Sequence, residues 1–402
     1  MAQIPVSPVE YEDHIWQASD ETGVSRSRRV SASGPYRSAL PARIADYSAA
    51  LASEVAADVD EASSALAQFD AYAAQTWGTS AGGTPMSSIL LRTESASSSQ
   101  IEQLTVGARQ LALAEIGQET STNAKTVLGN VRAMEQALTR VNVVNEESIQ
   151  SIHAVLMAHQ PGWEHHGGHY RDQLVWVGSS GVGPRDASYV APQPERVQAA
   201  MADLIRFIAR VDLPIVFQIA IAHAQFETIH PFVDGNGRTG RAIVHAMLAV
   251  SGTVRHGAIP LSAGLLTDTH GYFSALTAYR SGDAGPIVRR FADACRFAVS
   301  SGRTLLDALA FQQANDREKL AGLRRQATAW KILPWLVAHP VVDASSVTTI
   351  TGLNPVAAQR GLAQLTTSGV LVERTGRRRN RVWQHNPNLR ILDDYAARLT
   401  RN

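Results

Sequence analysis

The stretch HPFVDGNGRTGR, residues 230–241, decides how this chain folds around its chemistry. It sets a histidine, a carboxylate, a Gly-Asn-Gly turn and two arginines in that order. Gly235, Gly237 and Gly240 let the backbone approach a ligand closely and adopt positive φ, so that consecutive N–H groups form a concave anion nest. The following helix adds free N–H groups and the positive end of its dipole. Phosphate is the expected guest. Asp234 suits a hard cation such as Mg2+ bridging phosphate oxygens, and Arg238 and Arg241, three apart, offer planar bidentate donors. His230 stands where a general base takes the proton of a hydroxyl attacking phosphorus. The reaction class is phosphoryl or nucleotidyl transfer, with the base worth roughly 10²–10⁴ in rate. Phe232 and Val233 anchor the loop.

Working outward, Pro214–His230 is the most apolar helix of the chain, and Pro231 should end it, because a residue before proline avoids the α region. A second helix is expected over Gly240–Val250. His223, Glu227 and His230 share one face of the first helix, which raises the question of a zinc site. The HExxH spacing is missing and no cysteine or fourth ligand accompanies them, so His223 and Glu227 are read as orienting His230 or packing beneath the loop.

Upstream, residues 147–158 and 195–210 have the spacing of amphipathic helices. Between them RDQLVWVGSSGVGP alternates briefly and enters a glycine-rich turn, the pattern of a β-hairpin or flap. Met86–Glu115 and Asn123–Asn142 are helical, GTSAGGTP at 78–85 is loop, and Ile44–Gln75 is an alanine-rich helix or helical hairpin. Residues 1–42, with Pro5, Pro8, Gly34, Pro35 and Pro41, read as an irregular arm, and no strand is expected before residue 170.

Downstream, helices continue to about residue 310. Thr328–Ala338, Ser345–Thr351 and Pro355–Ser368 are helices, the last two joined by the turn at 352–354, and Val370–Arg374 and Arg381–His385 are strand-like. That order is the layout of a winged helix-turn-helix. Arg374, Arg377, Arg378, Arg379 and Arg381 crowd the wing, a patch able to follow a phosphate backbone. Only Gln359, Arg360 and Gln364 of the recognition helix suit base edges, so DNA and protein both stand as partners of this module.

The motif and its surroundings resemble the Fic family (filamentation induced by cAMP), whose defining pattern HxFx(D/E)GNGRxxR is matched at every fixed position. GHYRDQLVWVG at 168–178 and the segment YVAPQPERV look like Fic cores as well, so the resemblance covers about residues 90–310. It implies a mainly α, Fic-type helical core with a β-hairpin flap, followed by the C-terminal winged helix-turn-helix domain. It also implies transfer of AMP from ATP to a Ser, Thr or Tyr hydroxyl of a protein, with release of pyrophosphate. By motif position His230 would be the general base, Asp234 the Mg2+ ligand, and Gly235, Asn236 and Gly237 the anion hole. Arg238 and Arg241 would bind the phosphate tail, with Thr239 and Gly240 completing the nucleotide-binding set. Family members that act as kinases have lysine in place of the second glycine of the turn; Gly237 is intact here. The flap, Leu174, Val175, Trp176, Val177 and Gly178, would align the target segment by strand addition.

Many Fic proteins carry an inhibitory helix with the motif (S/T)xxxE(G/N), and SSSQIEQ at 97–103 resembles it, with Ser98 and Glu102 at the matching positions. A carboxylate there would pair with Arg241 and repel the incoming anion. Gln103 departs from the motif. The expected division is an arm over 1–42, a helical region over 43–125 with the inhibitory helix at about 95–105, a catalytic core over 126–310, and a linker helix with the winged module over 311–402. Removal of AMP using Glu102, and a nucleotide-sensing DNA-binding regulator, are the rival functions; self-modification and a homodimer are further expectations.

Composition sets the outer bounds. The 402 residues are 45% hydrophobic and 18% charged, as in folded proteins. With 37 basic and 36 acidic residues the formal net charge is +1, so affinity for nucleic acid must come from a local patch. Cys295 alone can form neither an internal disulfide nor a cysteine metal cluster, which fits a reducing, cytoplasmic setting. No apolar core of signal-peptide length opens the chain and no span suits a membrane, so neither secretion nor a membrane partner is expected.

Overall fold

The structure, a computed structural model, describes residues 3–18, 24–78, 85–118, 121–178, 182–374 and 380–399. Its centre is the helix pair that flanks the motif. The run IVFQIAIAHAQFETI forms α8 (Ile215–Ile229 in chain order), buried on every side from Val216 to Ile229. The helix stops where Pro231 demands it: His230 caps its C-terminus in the left-handed region, φ 51°, with its N–H on the Phe226 carbonyl at 2.8 Å. A four-residue loop leads into α9 (Asn236–Val250), whose N-cap Gly235 has φ 74°.

Ahead of this pair come β1 (Glu10–Trp16), α1 (Arg26–Ala32), β2 (Gly34–Leu40), α2 (Ser53–Trp77), α3 (Pro85–Ile101), α4 (Ala108–Glu115), α5 (Thr122–Thr139), α6 (Glu146–Met157), β3 (Trp176–Val177), β4 (Tyr189–Val190) and α7 (Pro194–Ile208). After it come α10 (Leu261–Leu266), α11 (Thr269–Arg280) and α12 (Gly285–Lys319). One large apolar cluster joins these helices apart from α1 and α4, with Phe69, Phe207, Phe217, Phe226, Phe232 and Phe291 among its fully buried side chains. No helix among the described residues is long and apolar enough to cross a membrane. The mainly α class with a small β flap is the observed one.

The last quarter comprises α13 (Thr328–Ile332), β5 (Val341–Asp343), α14 (Ala344–Thr351), α15 (Pro355–Thr367), β6 (Val372–Glu373) and β7 (Val382–Gln384), and has its own apolar cluster, to which Ile332, Val342, Val347, Leu362 and Trp383 contribute. Its three strands lie in the order β5-β7-β6, both pairs antiparallel. Asn354 caps α15 by accepting the Ala357 N–H at 2.8 Å, with Pro355 in the first turn. A final helix, α16 (Asn386–Leu399), returns to the main body, where Tyr395 and Leu399 join the large cluster. Arg377, Arg378 and Arg379 of the expected wing lie outside the described residues.

Four expectations need correction. The described part of residues 1–42 is not an irregular arm, because β1 and β2 pair antiparallel over seven residues, from Glu10 opposite Leu40 to Trp16 opposite Gly34. The strand signal was hidden because the inward positions of β1 hold Glu12, His14 and Trp16 instead of aliphatic residues. The helix after the motif begins at Asn236, four residues before Gly240, so Gly237 and Gly240 are helical and only Gly235 takes positive φ. The boundaries at 125 and 310 fall inside α5 and α12, which run through them unbroken. Helical periodicity over Met86–Glu115 is likewise divided, between α3 and α4.

Candidate functional site

The motif loop is held rigid by a side chain that sequence alone had assigned to anion binding. The Asn236 amide clasps Phe232 from both ends: Oδ1 accepts the Phe232 N–H and Nδ2 donates to the Phe232 carbonyl, each at 2.9 Å. Only an amide side chain offers a donor and an acceptor in that geometry. Both polar atoms of the Asn236 side chain are thus engaged within the loop, and its backbone N–H stands at the start of α9. Phe232, fully buried, stacks on His153 of α6 with ring centroids 3.6 Å apart.

His153 lies far from the motif in sequence and was not foreseen. Gly168 N–H donates to its Nδ1 at 3.0 Å, which fixes the proton on Nε2, and Nε2 donates to the Asp234 carbonyl at 3.1 Å. Burial pushes its pKa down to about 4, so the ring is a neutral strut. Arg171 is a second unforeseen residue. Its guanidinium donates to the carbonyls of His230 at 2.8 Å, Gln173 at 3.0 Å and Pro192 at 2.7 Å, and its own N–H donates to Pro231. One buried arginine therefore ties the end of α8 to both limbs of the flap.

His230 itself is a depressed base. Burial, with Arg280 and Arg171 nearby, brings its pKa down to about 4, which leaves the imidazole neutral and able to accept a proton. Its Nδ1 lies 3.8 Å from Glu227 Oε2. Glu227 is buried, and burial followed by the charge of Glu102 pushes its carboxyl up to about 7. His223 points away from His230, to the Tyr272 hydroxyl at 2.7 Å, and packs beneath Gly240. Glu227 is thus the neighbour of the base, and His223 a packing residue. No group of three or more metal-ligating side chains gathers among the described residues.

The nest beyond is shaped for an anion. Arg238 is buried, with Nη2 donating to Gln160 at 3.0 Å and lying 3.6 Å from Asp234, while its Nε and Nη1 have no partner. Thr239 Oγ1, also buried, has none. Such donors are costly unless a ligand meets them. Asp234 accepts the Gly235 N–H at 2.6 Å and a hydrogen bond from Gln160, and its carboxylate is partly exposed. One carboxylate beside a phosphate site fits magnesium, which takes one or two carboxylates and completes its shell with water and phosphate oxygens.

The nest already holds a carboxylate of the chain's own. Arg241 is fully engaged by α3 and the turn that follows it: Nε donates to Ser98 Oγ, and Nη2 to the Ser98 carbonyl and to Glu102 Oε1, all at 2.8 Å. Burial works against its charge, but Glu102 holds its pKa above the ordinary value. A Cβ on Gly237 would lie 2.0 Å from Glu102 Oε1, so the carboxylate rests directly on the first turn of α9. Gln103, the departure from the motif, takes φ 63°. Leu104 N–H bonds back to the Ser99 carbonyl at 3.0 Å and Gln103 N–H to that of Gln100 at 2.9 Å, the two bonds of a Schellman cap. The glycine or asparagine usual there is a demand for left-handed backbone, which Gln103 meets at some strain.

Behind Glu102, α3 is anchored by buried polar groups. Glu94 accepts the Ser262 N–H at 2.8 Å and lies 2.9 Å from His245 Nε2, one turn beyond Arg241 on α9. Asn130 of α5 donates to the Ser95 carbonyl at 2.8 Å and to Ser99 Oγ at 3.1 Å.

A helical core whose two central helices meet at a histidine, a carboxylate and an anion nest defines the class of this chain. Residues 143–248 match the model of the Fic/DOC family and residues 56–139 that of the Fic/DOC family N-terminal region. Residues 143–248 thus carry a Fic domain. It is 29% identical over 170 residues to protein adenylyltransferase Fic of Nematostella vectensis, a match covering 40% of this chain and 36% of that protein. It is 26% identical over 172 residues to a probable protein adenylyltransferase of Aquifex aeolicus, covering 40% of this chain and 49% of that one. The chain thus spans less than half the length of these curated relatives. A Fic family protein from Desulfovibrio desulfuricans G20 shares the fold, with TM-score 0.53 and 19% identity over 84% of this chain and 97% of that one.

Proposed function

We infer that this protein is an adenylyltransferase that moves AMP from ATP to a Ser, Thr or Tyr hydroxyl of a target protein and is held off by Glu102. The observation that carries the reading is Glu102 itself: a carboxylate paired with Arg241 and seated on the N-terminus of α9 stands in for the terminal phosphate of a nucleotide. The relatives named protein adenylyltransferase support the same reaction class.

The residues then take defined roles. The nest N–H groups of Gly235, Asn236 and Gly237, with Arg238 and Arg241, hold the phosphate chain. Asp234 is the residue that would hold Mg2+, which supplies charge neutralisation on the phosphate oxygens when bound. His230 accepts the proton of the attacking hydroxyl. The hydroxyl oxygen forms its bond to the α-phosphorus as the bond to the bridging oxygen breaks, and pyrophosphate leaves with that electron pair. His153, Asn236 and Arg171 hold the loop so that base and nest keep their distance. The chain's own hydroxyls and those of other proteins are both acceptors to test.

The test uses ATP labelled at the α- or at the γ-phosphate, with Mg2+ and a lysate as acceptor, on the Glu102→Gly variant. Transfer of AMP predicts protein-bound label from the α-labelled nucleotide only, lost with His230→Ala. Label from the γ position, or α-label that survives loss of His230, contradicts the reading.

A further inference from the structure

We propose that the N-terminal β1–β2 hairpin is a brace that sets the position of the flap, with Trp16 as its positioning residue, and so governs use of the protein acceptor without taking part in ATP binding. The proposal rests on the reading of the flap as the place where the acceptor segment lies. Residues 1–55 fall outside both family-matched segments.

The flap cannot hold its own shape. Its ladder consists of two pairs, Trp176 opposite Val190 and Val177 opposite Tyr189. An isolated two-stranded hairpin is marginal at best in water, and one of two pairs is weaker still. Arg171 pins the base of both limbs, and the core also holds β4, where the Tyr189 hydroxyl donates to the Thr228 carbonyl of α8 and Arg280 lies 3.7 Å over the Tyr189 ring, whereas Trp176 of β3 and the loop at 182–185 meet the N-terminal hairpin.

The N-terminal hairpin reaches it at four places. Trp16 packs edge-on to Trp176, centroids 5.4 Å apart at 71°. Its indole N–H donates to the Val182 carbonyl at 3.1 Å, holding the far side of the flap loop. Arg185 of that loop donates to the carbonyls of Ser31 at 3.2 Å and Ser33 at 3.1 Å, at the end of α1. Val9 and Ala39 share one small apolar cluster with Val175, Tyr189 and Ala191, from both limbs. The fit is close: a Cβ on Gly183 would lie 2.7 Å from the Ala32 carbonyl and 2.9 Å from the Trp16 ring. A surface strand pair that merely decorated the domain would not converge on both limbs and the loop of a two-pair flap.

Beyond its own hairpin, where Trp16 meets Tyr36, these contacts bear on the flap, so the consequence is specific. An acceptor strand laid along the free edge of β3 needs that edge at a fixed distance from His230, and a misplacement of about 1 Å costs on the order of 10²-fold in rate. On the proposed function ATP is bound by the nest on α9, to which none of the four contacts extends.

The experiment compares Trp16→Ala, Trp16→Phe and Arg185→Ala in the Glu102→Gly background. Hydrogen exchange is followed at the flap amides of Ser188 and Ala191, which bond to the Val177 carbonyl at 2.9 Å and the Val175 carbonyl at 3.1 Å. The brace predicts exchange about tenfold faster or more in Trp16→Ala, a smaller rise in Trp16→Phe and Arg185→Ala, and unchanged amides in α8 and α9. Transfer of α-label to lysate protein falls about tenfold or more in Trp16→Ala, with the KM for ATP within about twofold of the parent. Unchanged flap exchange, or a loss of ATP binding equal to the loss of transfer, overturns the proposal. Arg185 is exposed and its loss leaves the core intact, so its exchange result stands even if Trp16→Ala misfolds. If the Glu102→Gly parent transfers no label, the activity reading fails, while the exchange arm still decides the brace.

Discussion

Glu102 Oε1 lies 2.8 Å from Arg241 Nη2 while resting on the backbone of Gly237, so one carboxylate occupies both the arginine and the N-terminus of α9. The pair is asymmetric. The Arg241 side chain is 2% exposed and held by Ser98 as well, whereas the Glu102 side chain is 41% exposed. Arg241 is therefore fixed, and Glu102 is the member able to leave.

The strained cap beside this pair is open to direct test. Gln103 adopts φ 63°, and left-handed backbone costs a non-glycine residue roughly 1–2 kcal/mol. Gln103→Gly relieves that strain, offset in part by the greater freedom of glycine in the unfolded chain. The expected result is a gain of about 0.5–1 kcal/mol in chemical denaturation, together with a lower basal transfer rate because Glu102 is held in place more firmly. A rise in basal transfer would show that the turn does not present Glu102.

Asn236 should behave as a clasp. Asn236→Ala removes both bonds to Phe232 and leaves a buried N–H and carbonyl unpaired, a loss of about 1–3 kcal/mol. Transfer in the Glu102→Gly background should fall, and Asn236→Asp should not restore it, since a carboxylate lacks the donor facing the Phe232 carbonyl. Full activity in Asn236→Asp would mean that the side chain acts elsewhere.

The pH dependence of stability follows from histidines buried in the neutral form. His153 and His230 have their pKa values pushed down to about 4, and His223 and His339 to about 3, with burial the main cause in each. Unfolded, each binds a proton near 6.5, so the stability they contribute is present above that pH and lost as pH falls toward 4. Glu227, raised to about 7, titrates with the opposite sign: its contribution is present below about 4.5 and lost as pH rises through about 7. Four groups against one predict a net fall in unfolding free energy between pH 6.5 and 4, measured by urea titration, and a shallower fall in His339→Phe. A flat profile across that window would contradict neutral burial of these rings.

Much of the site was legible because it is contiguous. Residues 230–241 carry the candidate base, carboxylate, nest and arginines within three turns' length, and Ser98 and Glu102 sit four apart across the end of α3, where both meet Arg241. His153 and Arg171 were not legible, because their partners Asp234 and His230 lie 81 and 59 residues away and such contacts leave no local pattern. The start of α9 was misplaced because Gly-Asn-Gly reads as a turn, whereas the helix N-terminus tolerates Gly237 and needs its missing side chain for Glu102. The β1–β2 hairpin escaped notice because its inward side chains face the flap and Arg196, so polar and aromatic residues stand where a core strand would carry aliphatic ones.

The most direct test of the account is the affinity and turnover of ATP, with Mg2+, in the wild type against Glu102→Gly, with Glu102→Gly carrying Arg241→Ala as control. If Glu102 occupies the phosphate position, Glu102→Gly binds ATP about tenfold tighter or more, transfers α-label to protein well above wild type, and loses both with Arg241→Ala. Equal affinity and equal transfer in wild type and Glu102→Gly would contradict the claim that this carboxylate holds the site closed.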